Sequence, residues 1–206
     1  MHRSPAITAA RALALLLPFL AAGCGGGEEA APPVVFAPLH YDYLTPLRLN
    51  VATLTIEDHA ANAGPGDVSA LSPVPPAQAL EQMARDRLVP AGSAGEAVFV
   101  IDRASIVQGA DALSGNMAVH LDIRTSDGNR AAYAEARVSR VRTLGGGHED
   151  LRGALYTMTK AMMDDMNVEF EYQVRHSLKD WLQTTAPAAA AIPAPVQVQP
   201  LDAPAK

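Results

Sequence analysis

The sequence predicts an α+β fold. It is read as one antiparallel sheet of four strands in the chain order strand, helix, strand, strand, strand, helix, with the two helices packed on one face and a long C-terminal helix. Three observations carry this. Strand-like apolar patterns, mostly of period two, occupy four stretches between residues 47 and 144, as expected of half-buried or covered strands. Apolar residues recur every three or four positions near residues 76–88 and again over 149–182, the spacing of amphipathic helices. Ser126-Asp127-Gly128-Asn129 separates the last two strand patterns, and Asp-Gly between such patterns is a hairpin signal.

The first strand covers residues 47–56 (LRLNVATLTI), with Leu47, Leu49 and Val51 in one phase and Leu54 and Ile56 in the other. A one-residue slip turns side chains to the opposite face, so a bulge is expected near Ala52 or Thr53. A polar loop containing Gly and Pro runs to Ser72. Pro75 and Pro76 then open a helix, since proline is tolerated in the first turn. Its stripe is Leu80, Met83, Ala84 and Leu88, and Pro90 and Gly92 close it. Residues 97–106 begin with the continuous run AVFVI, the mark of a central, well-covered strand. In the next strand Met117, Val119, Leu121 and Ile123 alternate with Ala118, His120, Asp122 and Arg124. The return strand, 130–144, sets Ala132, Ala134, Ala136 and Val138 against Tyr133, Glu135, Arg137 and Ser139. That row of small side chains calls for a helix backbone lying close above it. After Gly145-Gly146-Gly147 the final helix runs over 149–182, roughly 50 Å at 1.5 Å per residue. Glu149 and Asp150 complement the positive end of its dipole. Leu151, Leu155, Met158, Met162, Met166, Phe170, Val174, Leu178, Trp181 and Leu182 form its stripe, and Trp181 should cover the end of the sheet.

The chain has 206 residues, of which 49% are hydrophobic and 18% charged, with a net charge of −6. That length accommodates one domain with tails, and the apolar content excludes wholesale disorder. The acidic balance argues against nucleic-acid binding, which needs clustered Lys and Arg. At the N-terminus Arg3 and Arg11 bracket a positive region, and residues 12–20 (ALALLLPFL) form an apolar run too short for the roughly 20 residues that cross a bilayer. A short apolar run followed by small residues is a secretory signal pattern, assigned to residues 1–23. Residues 24–38 (CGGGEEAAPPVVFAP) are read as a cysteine and a flexible tether. Extended, its last 14 residues would reach roughly 45–50 Å. The single domain is placed at 39–183, and 184–206, rich in Ala and Pro, is read as a disordered tail.

Ala21-Ala22-Gly23-Cys24 holds the only cysteine. It resembles a bacterial lipobox, with Ala21 where the commonest pattern has Leu; the other reading is an ordinary signal peptide cut near an Ala-x-Ala site. The resemblance implies that Cys24 becomes the lipid-modified N-terminus of the mature protein. Gly25, where lipoproteins kept at the inner membrane carry Asp, implies an outer-membrane, periplasm-facing location. Loss of Arg3 and Arg11 leaves 14 basic against 22 acidic side chains, a net charge of −8. Such a body has no electrostatic attraction to anionic lipid, so the anchor is the acyl chains.

The element order behind a lipobox resembles the lipopolysaccharide-assembly lipoprotein and the ABC-type transport auxiliary lipoproteins over residues 47–183, chiefly through the long C-terminal helix (ALYTMTKAMMDDMNVEFEYQVRHSLKDWL). The segment VPPAQALEQMARDRLVPAGSAG at 74–95 is also similar to one in uncharacterised alphaproteobacterial lipoproteins. This likeness is architectural, and fold does not imply function. It implies a non-catalytic, lipid-anchored component of an envelope assembly or transport complex, with a membrane and an envelope protein complex as partners. The alternative is a lipid- or acyl-chain-binding lipoprotein; an enzyme is the third class.

Candidate chemistry is sparse. His40, His59, His120, His148 and His176 stand apart, and only His120-x-Asp122 pairs two potential metal ligands on one strand face. Gly145-Gly146-Gly147-His148 precedes a helix without a phosphate-loop pattern. Asp164 and Asp165 are helix neighbours whose directions diverge by about 100°. No catalytic residue, metal site or cofactor is assigned. Met158, Met162 and Met166, soft and adaptable side chains, are read either as core or, with Trp181, as a groove for a partner or lipid.

Overall fold

A computed structural model describes residues 35–145 and 150–183. Cys24, the signal segment, most of the tether, the residues from Gly146 to Glu149 and the tail lie outside the described residues. The strand elements are β1 (Leu47–Leu49), β2 (Thr53–Asp58), β3 (Leu88–Pro90), β4 (Glu96–Gln108), β5 (Ala112–Arg124) and β6 (Arg130–Thr143). Helix α1 (Pro76–Arg87) lies between β2 and β3, and α2 (Leu151–Ser177) follows β6.

The expected all-antiparallel sheet is not what forms. The main sheet has the order β2-β4-β5-β6 and is mixed: β2 pairs parallel to β4, from Thr53 opposite Glu96, while β4-β5 and β5-β6 are antiparallel. A second, two-stranded sheet pairs β1 parallel to β3. The reason is the α1 crossover. A helix between two neighbouring strands returns the chain to the end where it started, so those strands must run the same way. The α+β class with two helices stands.

The phase slip in the first strand is a break, and its parallel partner breaks beside it. Asn50–Ala52 separates β1 from β2, and residues 91–95 separate β3 from β4. Across the gap Ala91 N donates to Leu49 O at 2.8 Å, Gly92 N to Val51 O at 2.8 Å, and Ala52 N to Gly95 O at 3.0 Å. Gly92 permits this approach: a Cβ there would lie 2.5 Å from the Asn50 carbonyl carbon and 2.6 Å from Val51 N. Val51 can thus stay in the core before the side-chain phase reverses.

One core fills the space between helices and sheet. Leu80, Met83 and Ala84 of α1 enter it with Phe99 and Ile101 of β4, Val119 and Leu121 of β5, and the stripe of α2. Pro76 occupies the first turn of α1, which ends at Arg87 because Leu88 is already extended. Asp150 caps α2, its side chain accepting from the backbone N–H groups of Arg152 and Gly153. Phe170 meets Phe99 edge-to-face at 5.6 Å. Ala134 and Ala136 are buried, and Gly115 of β5 lies directly beneath Met158 and Met162. The absent side chain at Gly115 is where the two thioethers seat.

The N-terminal side of the domain is an ordered strap alongside α2. Phe36, placed by the sequence reading in the tether, packs against Tyr156 at 5.2 Å and beneath the Arg152 guanidinium at 5.8 Å. Tyr156 Oη donates to Ala37 O at 3.0 Å. Tyr41 N donates to Asp86 Oδ2 at 2.7 Å. Further along, Asn50 N donates to Trp181 O at 2.7 Å and Gln183 N to Arg48 O at 2.8 Å. The chain after α2 therefore joins β1 as a short antiparallel bridge, Leu182 opposite Leu49.

Strap and helices meet at Arg87, which is fully buried. Its guanidinium donates to Asn167 O and Asn167 Oδ1, both at 3.2 Å, to Thr45 O at 3.3 Å, and to the Glu171 carboxylate. Asn167 in turn donates back to Met163 O at 2.8 Å, which fixes its amide. Burial would raise the Glu171 carboxyl, but hydrogen bonds and charge from Arg87 and Arg175 outweigh it and hold the group below its ordinary value.

Four substitutions test these contacts in unfolding experiments. Gly115→Ala should cost about 1–3 kcal/mol, because flexible methionines can yield, whereas Gly92→Ala should cost more, because backbone faces it. Arg87→Ala should cost about 3–5 kcal/mol, the usual penalty for breaking a buried pair. Glu171 has a lowered folded pKa, so its contribution is present above the ordinary value of 4.5 and is lost as pH falls through the folded value. The stability gap between wild type and Glu171→Gln should accordingly shrink below pH 4.5. A gap constant with pH would contradict the pairing.

Candidate functional site

The face of the main sheet turned away from the helices carries a polar concavity of about 690 Å³. Register sets its side chains in rows. Val100, His120 and Glu135 form one row across β4, β5 and β6; Val98, Asp122 and Tyr133 form the next; Arg103, Ala118 and Arg137 lie on the other side. The β4 register shifts between Ile101 and Arg103, leaving Asp102 as an extra residue. Bulges re-aim side chains, and here the Asp102 carboxylate meets His120 Nδ1 at 2.7 Å.

Apart from Arg103, the charges of this concave face, the outer tray, are paired with one another. Arg130 Nε lies 2.9 Å from the buried Asp122 carboxylate, which also faces Arg124 at 3.8 Å. Arg137 bonds Glu135 along its own strand. Tyr133 sits between two of these pairs: its ring is 5.5 Å from His120 and lies under the Arg130 guanidinium at 5.2 Å. Partial burial, followed by the Glu135 carboxylate, pushes the Tyr133 phenol above its ordinary value. Among the described residues Arg103 has no ion-pair partner. The apolar Val98 and Val100 are buried beneath this layer. Such a surface presents fixed, compensated charges, which favour register and specificity in a protein contact over long-range attraction.

The residues singled out from sequence are placed as follows. His120 and Asp122 share the outer face, but His120 takes Asp102 and Asp122 takes arginines, so they do not converge on one ligand. Asp164 and Asp165 diverge as expected, toward Lys160 and Arg140. Met158, Met162 and Met166 are fully buried against the sheet. Trp181 does not join them. It is half-buried in a 3-10 turn after α2, beside Asn50, Gly95 and Thr125 at the end of the sheet. Cys24 and His148 lie outside the described residues. Among the described residues no three His, Cys, Asp or Glu side chains form a metal-binding group.

Sequence reading missed Asp102 and Arg103. The available signal was Asp-Arg interrupting the apolar run AVFVIDRASIV, a cost inside a covered strand unless those side chains turn outward.

NMR titration of labelled tyrosines checks the tray's electrostatics. Tyr133 should ionise above 10.0, and Glu135→Gln should lower that value by removing a negative charge beside the phenolate. An unchanged titration in the variant would contradict the assigned cause.

No protein-family model matches this chain, and no curated protein matches it.

Proposed function

We propose that the chain is a non-catalytic docking component of an envelope assembly or transport complex, anchored by lipid on Cys24 and facing the periplasm from the outer membrane. The observation that carries the docking role is the open sheet face, a concave surface whose charges, Arg103 apart, are already paired with one another. Its Asp102–His120, Asp122–Arg130 and Glu135–Arg137 pairs hold their geometry before any partner arrives, so little ordering is left for binding. The anchor rests on the position of the sole cysteine after a short apolar run and on Gly25 beside it. Several acyl chains bind a bilayer stably where one does not. Among the described residues no helix is long and apolar enough to cross a membrane.

The test has two arms. Cys24→Ser should move the protein from the membrane fraction to the soluble periplasmic fraction; retention in membranes at high salt after signal removal would refute the anchor. Affinity purification of the lipidated protein in mild detergent should recover a stoichiometric envelope protein. Arg103→Glu with His120→Ala should reduce that recovery at least tenfold without moving the unfolding midpoint. Undiminished recovery would place the contact on another face.

A further inference from the structure

At the end of α2 farthest from Phe36, a second concavity of about 400 Å³ is ringed by Arg48, Arg175 and Lys179. No carboxylate lines it. Pro46, Leu47 and Leu182 give it an apolar floor. This concentration of positive charge stands on a chain whose net charge is −6.

Helix polarity accounts for part of the ring, since cations in a last turn complement the negative end of the dipole. It does not account for Arg48, which projects from β1, a different element. Arg175 is already bonded to Glu171 at 2.8 Å. Among the described residues neither Arg48 nor Lys179 has a carboxylate partner. Two uncompensated cations from separate elements thus converge over one apolar floor.

We infer that this cleft receives an acidic segment of a partner protein, with carboxylates on Arg48 and Lys179 and aliphatic carbons on the floor. The inference rests on the reading of the chain as an anchored docking module and names the chemistry of one contact. The arrangement favours peptide carboxylates over a phosphate group. The two free cations are on separate, exposed side chains, which suits charges spread along a chain, and the end of α2 offers carbonyl oxygens where a compact dianion needs N–H donors. The net charge of −6 opposes approach to an anionic bilayer and so favours a protein. The cleft lies toward the other end of α2 from the Phe36–Tyr156 contact, about 30 Å along the helix from Tyr156 to Arg175.

The full chain in neutral detergent is titrated into a labelled hexaglutamate peptide at low salt, followed by fluorescence anisotropy. Saturable binding is expected, while hexaglutamine shows none. Raising salt to about 0.3 M weakens binding, because exposed charges are screened within a Debye length. The double variant R48Q/K179Q should lose about tenfold in affinity, each exposed pair contributing a factor of a few. R152Q/K160Q, which removes equal charge at the other end of α2, should lose none. The unfolding midpoint of R48Q/K179Q should match wild type. Absence of peptide binding, equal losses in the two double variants, or no loss in R48Q/K179Q would overturn the inference. So would displacement of the peptide by millimolar inorganic phosphate or by phosphatidylglycerol vesicles, which would make the cleft a phosphate or a membrane contact. Failed peptide binding with membrane retention through Cys24 intact overturns the cleft alone; the reverse overturns the anchor alone.

Discussion

A single buried guanidinium ties the architecture together. Arg87 is the last residue of α1, and its donors reach α2 at Asn167 and Glu171 and the strap at Thr45. A charge removed from water is tolerated only when paired and hydrogen-bonded, so these three segments must assemble together or leave Arg87 unsatisfied. The junction also fixes where α1 ends, and with it the point where β3 begins beside β1. The parallel pairing, the paired strand breaks and the placement of β4 in the sheet all follow from chain leaving that corner. Such an interaction adds specificity more than stability, because apolar groups of the same shape would satisfy the core equally well.

How much of this was legible depends on whether the cause was local. The alternation of Met117, Val119, Leu121 and Ile123, the stripe of α2 and the Asp127-Gly128 turn arise from spacing along the chain, and the corresponding elements are present. The alanines of β6 correctly announced a close helix, and buried Ala134 and Ala136 sit in the core it completes. Strand direction was not legible from apolar period, since parallel and antiparallel partners bury the same face. The signal was instead the helix between two strand patterns. Arg87 was also hidden: in PAQALEQMARDR it reads as a cation complementing the end of a helix, and only packing against α2 reveals it as core.

The candidate surfaces were legible in smaller measure for a related reason. Period two correctly put His120, Tyr133, Glu135 and Arg137 on the outer face, but not their partners. Those depend on a register shift at Asp102 that no local pattern encodes. The basic cleft is still less visible, because Arg48 and Lys179 lie far apart in sequence and meet only when the chain after α2 bridges back to β1. The outer tray leaves only Arg103 without an ion pair, whereas the cleft leaves two of its three cations without one.

The strap gives the domain a mechanical polarity. A pull transmitted from the N-terminal side first loads the Phe36–Tyr156 contact, then the Tyr41–Asp86 hydrogen bond, and only afterwards the Arg87 junction. These fastenings follow one another along the strap, the first on α2 and the next two on α1, from a half-buried ring contact to a buried guanidinium. Tension would peel the strap in stages, each a local opening of higher free energy than the last, and the sheet with its outer tray would stay folded while slack was released. Tension applied at residue 35 would thus be spent on the strap before it reached the sheet.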